Sequence, residues 1–251
     1  TLQAAEAFTD TTFFCASPGA CPIQIYLPIA HGATDSAETA QGGAETEQEV
    51  VANAATSTMG TIVELTLVAP TTSAASSFSS AVVQTINLAA ISPPSPDPSG
   101  ITYLSTSNTF LISDGEVEET VTNITQFQGA NLWEMTLGGA VVRSANISKL
   151  APTVVPMSDE PNGVAWNPTN GHFYFSDDDD RDVFDLNPGA DNQIGTADDT
   201  WTRFDTLSVG SVDPEGIAFD TINNRLFVAD GVNMEIYQFT LTGALVSPVS
   251  Y

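Results

Sequence analysis

Hydrophobic and polar positions alternate in short runs along the chain. Ile23-Gln24-Ile25-Tyr26-Leu27, residues 61–68 (Thr-Ile-Val-Glu-Leu-Thr-Leu-Val) and residues 81–88 (Ala-Val-Val-Gln-Thr-Ile-Asn-Leu) all read as strands or extended segments. Thr12-Phe13-Phe14 is a shorter group of the same kind. Residues 69–80 are mostly Pro, Thr, Ser and Ala and read as a loop, and Pro93-Pro94-Ser95-Pro96 punctuates the chain. Residues 33–60 hold few large apolar groups and read as a low-complexity linker or arm. No segment sustains a helical period, so the expected class is all-β.

From residue 92 the pattern repeats. Asp97-Pro98-Ser99-Gly100-Ile101 precedes Phe110-Leu111-Ile112-Ser113-Asp114. Glu160-Pro161-Asn162-Gly163-Val164 precedes Phe173-Tyr174-Phe175-Ser176-Asp177. Asp213-Pro214-Glu215-Gly216-Ile217 precedes Leu226-Phe227-Val228-Ala229-Asp230. The Gly-to-Asp separation is 14 in every copy, and the copies start 63 and 53 residues apart. A second shared piece follows: Leu132–Val142 is similar to Ile236–Val246. Each unit therefore reads as about four antiparallel strands, the size of a propeller blade. The rival, a β-sandwich with chance similarity, does not account for the fixed spacing. Acid-Pro-x-Gly also reads simply as a turn, in which Pro sets φ, Gly takes positive φ and the acid caps nearby amides.

At these residues the chain resembles β-propellers of the broad NHL, gluconolactonase-like and phytase-like group. Pro161-Asn162-Gly163-Val164-Ala165-Trp166 and Pro214-Glu215-Gly216-Ile217-Ala218-Phe219 carry the resemblance, with Phe173–Asp177 and Leu226–Asp230; it covers about residues 92–251. It implies a propeller-like array of four-stranded antiparallel blades, with three clear repeats in residues 61–251 and an extended N-terminal arm in residues 1–60. A closed propeller needs at least four blades. Either the strands at 61–68 and 81–88 contribute to another blade, or the array stays open, or a second chain completes it. The resemblance further implies that the residue before each blade-start Gly faces a central channel. That places Asn162 and Glu215, with Ser99 in the first copy, as metal ligands there.

Charge narrows the function. Five Lys and Arg stand against 31 Asp and Glu in 251 residues, a formal net charge of −26, and no cation precedes Arg143. Nucleic acid needs a basic footprint, so it is excluded as a partner. No run approaches the ~20 apolar residues of a membrane span, so no membrane insertion is expected. Clustered carboxylates favour divalent cations, and calcium is the expected cofactor.

Three groups are candidate metal sites. The loop Asp191-Asn192-Gln193-Ile194-Gly195-Thr196-Ala197-Asp198-Asp199 sets oxygen donors around a Gly, with Asp191, Gln193, Asp198 and Asp199 as ligands; it lacks the terminal Glu of an EF-hand. An acidic hairpin with solvated carboxylates is the alternative. In the run Asp177-Asp178-Asp179-Asp180, strand alternation would put Asp177 and Asp179 on one face. The third group is Asn162 and Glu215. Asp114, Asp177 and Asp230 also read as turn formers at strand ends. Neither histidine has a catalytic context and no Gly-x-Ser-x-Gly elbow is present, so nucleophilic catalysis is not expected.

Cys15 and Cys21 flank Pro18-Gly19, a turn that can bring them into disulfide range; two free thiols in a loop are the alternative. A disulfide implies an oxidising compartment. Asn123 and Asn146 begin glycosylation sequons, which matter only in a glycosylating host. The chain starts at Thr1, as a mature product with its signal peptide removed would. The combined expectation is a secreted, extracellular or cell-surface protein, stabilised by calcium and acting by binding or self-assembly. Its partner would be a further copy of itself, as homo-oligomer or polymer, joined through the N-terminal arm or an open sheet edge. A metal-dependent hydrolase of the gluconolactonase-like or phytase-like type is the alternative.

Overall fold

The computed structural model describes residues 12–14, 23–29, 61–68, 79–115, 120–121, 124–125, 128–149 and 153–248. Cys15, Cys21, Asn123 and residues 33–60 lie outside them. The fold is all-β: four four-stranded antiparallel sheets, with a two-stranded ribbon beside the second. The described helix is confined to single 3₁₀ turns at Leu88–Ala90 and Leu207–Val209.

The first sheet pairs β1 (Thr12–Phe14), β2 (Ile23–Ile29), β3 (Thr61–Val68) and β4 (Ser79–Asn87) in that order. It thus draws on both sides of residue 60. The second contains β5 (Pro98–Leu104) and β6 (Thr109–Asp114). The ribbon β7 (Thr120–Val121) and β8 (Ile124–Thr125) interrupts it, and β9 (Leu132–Thr136) and β10 (Val141–Ala145) complete it. The third is β11 (Gly163–Trp166), β12 (Phe173–Asp177), β13 (Asp182–Asn187) and β14 (Thr200–Asp205). The fourth is β15 (Pro214–Asp220), β16 (Arg225–Asp230), β17 (Glu235–Thr240) and β18 (Leu245–Pro248).

Successive sheets stack face to face, β5 against β11 and β11 against β15, in a propeller-like array. Ile86, Leu88, Ile101, Ile112 and Trp133 fill the first junction. Leu111, Leu132, Val164, Phe175 and Phe184 fill the second. Ala165, Tyr174, Val183, Ile217, Val228 and Phe239 fill the third. Covered on both faces, β6 and β12 are buried along their whole length. This is why both read as continuous apolar runs rather than alternating ones.

The repeated Gly is needed for close approach, not for a left-handed turn. Gly100, Gly163 and Gly216 lie within β5, β11 and β15 and are not among the positive-φ glycines. That corrects the expectation of positive φ. A Cβ on Gly163 would stand 2.6 Å from the Glu215 carbonyl oxygen and 2.8 Å from the Ile217 nitrogen; one on Gly100 would meet Asn162 and Val164 at 2.7 and 2.8 Å. Only Gly lets one inner strand come this close to the next. Across the same junctions Ser113 Oγ donates to the Asn162 carbonyl at 3.2 Å, and Ser176 Oγ to that of Glu215.

Each blade start is tied to its own middle strand by a buried carboxylate. Ser95, Ser158 and Ser211 donate their hydroxyls to Asp114, Asp177 and Asp230, always 19 residues on. The Asp97 and Asp213 amides donate to the same Asp114 and Asp230 oxygens, at 3.0 and 3.2 Å. All three aspartates and all three serines are buried. Losing the hydroxyl leaves a buried carboxylate short of a donor. Ser95→Ala, Ser158→Ala and Ser211→Ala should each lower unfolding free energy by about 1–3 kcal/mol in urea titrations, while exposed Thr221→Ala changes it by less than about 0.5 kcal/mol.

Candidate metal centre and acidic turns

The blade-start end of the array concentrates carboxylates. Asp178 begins the turn after β12, Asp213 directly precedes β15, and Glu215 lies within β15. One oxygen from each lies within 4.8 Å of the others, at the junction of the third and fourth sheets. Asn162 Nδ2 donates to Asp178 Oδ1 at 2.7 Å. Asn162 is only 5% exposed, and its Oδ1 has no hydrogen-bond partner among the described residues. Burial, then the neighbouring Asp213 charge, pushes the Asp178 carboxyl above its usual range. Three converging carboxylates suit a hard divalent cation, which would relieve their repulsion; Asn162 turns its Nδ2 to this group, and its Oδ1 faces Gly115.

The placement follows from the repeat. The position after the strand-end Asp is Gly115 in the first copy, Asp178 in the second and Gly231 in the third. This position packs against blade starts: a Cβ on Gly115 would lie 2.0 Å from Asn162 Oδ1, and one on Gly231 2.7 Å from Asp213 Oδ2. Where its counterparts are Gly, the second copy carries a carboxylate, which meets the next blade's acids. The structure brings Asn162 beside Asp178, and Glu215 into the same group. Ser99 instead accepts the Gly115 amide at 2.9 Å.

Asp177 and Asp179 are not on one strand face, because β12 ends at Asp177. Asp177 is buried, with Ser158 Oγ on Oδ2 at 2.6 Å and the Asp180 amide on Oδ1 at 2.7 Å. Asp179 is exposed on the turn. The rest of the run uses the chain's few cations. Lys149 meets Asp180, and Arg203 meets Asp182 at 2.7 Å and Asp180 at 3.5 Å.

The loop after β13 caps itself. Asp191 Oδ1 accepts the Gln193 amide at 2.8 Å. Asp198 accepts the Ala190 amide and the Thr196 hydroxyl, both at 2.7 Å. Asp199 Oδ2 accepts the amides of Gly195 and Thr196 at 2.7 and 3.1 Å. The Gln193 carbonyl accepts from the Thr196 hydroxyl at 3.2 Å. The Thr196 hydroxyl and the Ala190 amide hold Asp198 below its usual range, whereas burial raises Asp199.

Asp177 and Asp230 occupy the same repeat position and titrate oppositely. Burial pushes Asp177 up to about 6, against its two donors. Burial also works against ionised Asp230, but the amides of Asn233, Val212 and Asp213 and the Ser211 hydroxyl overcome it and hold Asp230 low. A carboxyl raised by folding binds its proton more tightly in the native state. Its contribution is complete below the unfolded value, near 4, and is lost as pH rises through about 6. Replacing Asp177 by Asn removes that dependence. The melting temperature of Asp177→Asn relative to the parent should therefore move in the variant's favour between about pH 4 and pH 7.

No protein-family model and no characterised protein matches the chain in sequence. Among solved structures the chain is similar to one from a nidogen/laminin complex, at 14% identity and a TM-score of 0.45, over 75% of this chain and 59% of that one. It is also similar to Saccharomyces cerevisiae Sqt1, at 12% identity and a TM-score of 0.42, over 90% of this chain and 56% of that one. The chain thus spans a little over half the length of each, and a likeness this loose says nothing about function.

Proposed function

We propose that the chain is an extracellular, calcium-stabilised, propeller-like protein that works by binding and self-assembly, a second copy docking on the free face of the fourth sheet. One observation carries this. Thr102, Leu111, Ser113 and Leu132 on the second sheet, and Ala165, Tyr174, Ser176 and Val183 on the third, form the faces that hold the next sheet, and all are buried. Their counterparts on the fourth are Ala218, Phe227, Ala229 and Ile236. Ala218 is exposed, Phe227 and Ala229 are half-buried, and Ile236 is 48% exposed. This is an apolar face built to be covered. The serine that holds the next blade at Ser113 and Ser176 is here Ala229, so the face asks for apolar contact without that hydrogen bond. Two copies carrying −26 each repel, and divalent cations at the acidic ends would lower that barrier.

Light scattering in calcium should give a mass that is a multiple of one chain. Chelation should lower both the mass and the melting temperature. Phe227→Asp and Ile236→Asp should give folded monomers in calcium. A parent that stays monomeric in calcium at high protein concentration, or variants that assemble as the parent does, contradicts the proposal.

The cluster of Asp178, Asp213 and Glu215 around Asn162 favours a second reading, a metal-dependent hydrolase of the gluconolactonase-like or phytase-like type. On that reading Glu215→Gln removes metal-dependent hydrolysis of lactones or phosphoesters without unfolding the protein. A parent that hydrolyses neither with calcium, magnesium, manganese or zinc removes it.

A further inference from the structure

The opposite end of the array carries a groove that the acidic chemistry does not use. It lies between the β5–β6 and β11–β12 hairpins, with a volume of about 560 Å³. That is within the range of small-ligand sites, roughly 300–1,000 Å³. Its floor is apolar: Leu104 and Phe173 are buried there beside half-buried Trp166. Thr106, Thr169 and Asn192 stand on its rim.

Charge selects the ligand class. The chain has 31 acidic residues, yet among the described residues no carboxylate lines this groove. The charged group among its described lining residues, Arg143, is taken up by buried Glu134, at 2.5 Å. An anion is repelled by the surrounding net charge, and the described lining offers a cation no carboxylate to fix it. What remains is a neutral ligand with an apolar face and many hydroxyls. An aromatic plate takes the apolar face, and side-chain hydroxyls and amides, which both donate and accept, take the hydroxyls. Asn192, held at φ 54°, presents an amide beside Gly171, where a Cβ would be 3.9 Å from its Oδ1.

The geometry points to a binding site for a neutral saccharide in the groove between the second and third sheets, stacked on Trp166 and held by Thr106, Thr169 and Asn192. This site is separate from the assembly face and from the acidic cluster, so chelation leaves it intact.

Isothermal titration with cellotetraose, chitotetraose and maltotetraose, with and without chelator, tests it. At least one probe should bind saturably, with a dissociation constant below about 10 mM and unchanged by chelator. Asn192→Gly keeps a residue that accepts positive φ but removes the amide, and should weaken binding by about tenfold. Thr169→Tyr fills the groove and should abolish it, with melting temperature unchanged in both variants. No saturable binding of any probe, or affinity that ignores both substitutions, overturns the assignment.

Discussion

In the second, third and fourth sheets a buried carboxylate at the end of the second strand fixes where the blade begins. Asp114, Asp177 and Asp230 each take the hydroxyl of a serine 19 residues upstream. That bond turns the incoming segment back along its own sheet and sets where the inner strand begins. A buried carboxylate is costly without donors, so each aspartate stabilises the fold only while its serine and nearby amides face it. Burial raises the proton affinity of Asp177, and its two donors offset less of that than the donors of Asp230 do.

Once the blade start is placed, stacking follows. Gly100 and Gly163 let neighbouring inner strands meet backbone to backbone, and Ser113 and Ser176 bond across the gap. The result is burial on both faces of β6 and β12. In the fourth sheet the same construction stops: β16 is buried only at alternate positions. Among the described residues nothing covers its outer face, which keeps the apolar residue types of its predecessors but not their serine. Sheet-on-sheet packing is thus the molecule's internal principle, and the proposed association would extend it by one more sheet.

The strands and the repeat were legible because alternation, the 14-residue spacing and the second shared piece each mark a backbone period. The reason for the Gly was not, since acid-Pro-x-Gly describes a turn and a close approach equally well. The serine lock was present in the sequence as Ser95, Ser158 and Ser211, each two residues before the repeated acid; its meaning needed the fold. Asn162 and Glu215 were singled out by the resemblance to gluconolactonase-like propellers. Asp178 and Asp213 were not, because their meeting depends on how two sheets stack. The aspartates of the 191–199 loop looked like free ligands because sequence does not show which amides turn back onto them.

Net charge sets the terms of association. The cations Lys149 and Arg203 are spent within the Asp-rich turn, so in the proposed assembly ions from solution would have to offset the repulsion between copies. In the proposed assembly the exposed face of the fourth sheet becomes covered. Hydrogen exchange of the peptide spanning residues 225–240 in calcium, at low and high protein concentration, tests it most directly. Protection there should rise with concentration while that of β12 is unchanged. Protection that is the same at both concentrations would contradict it.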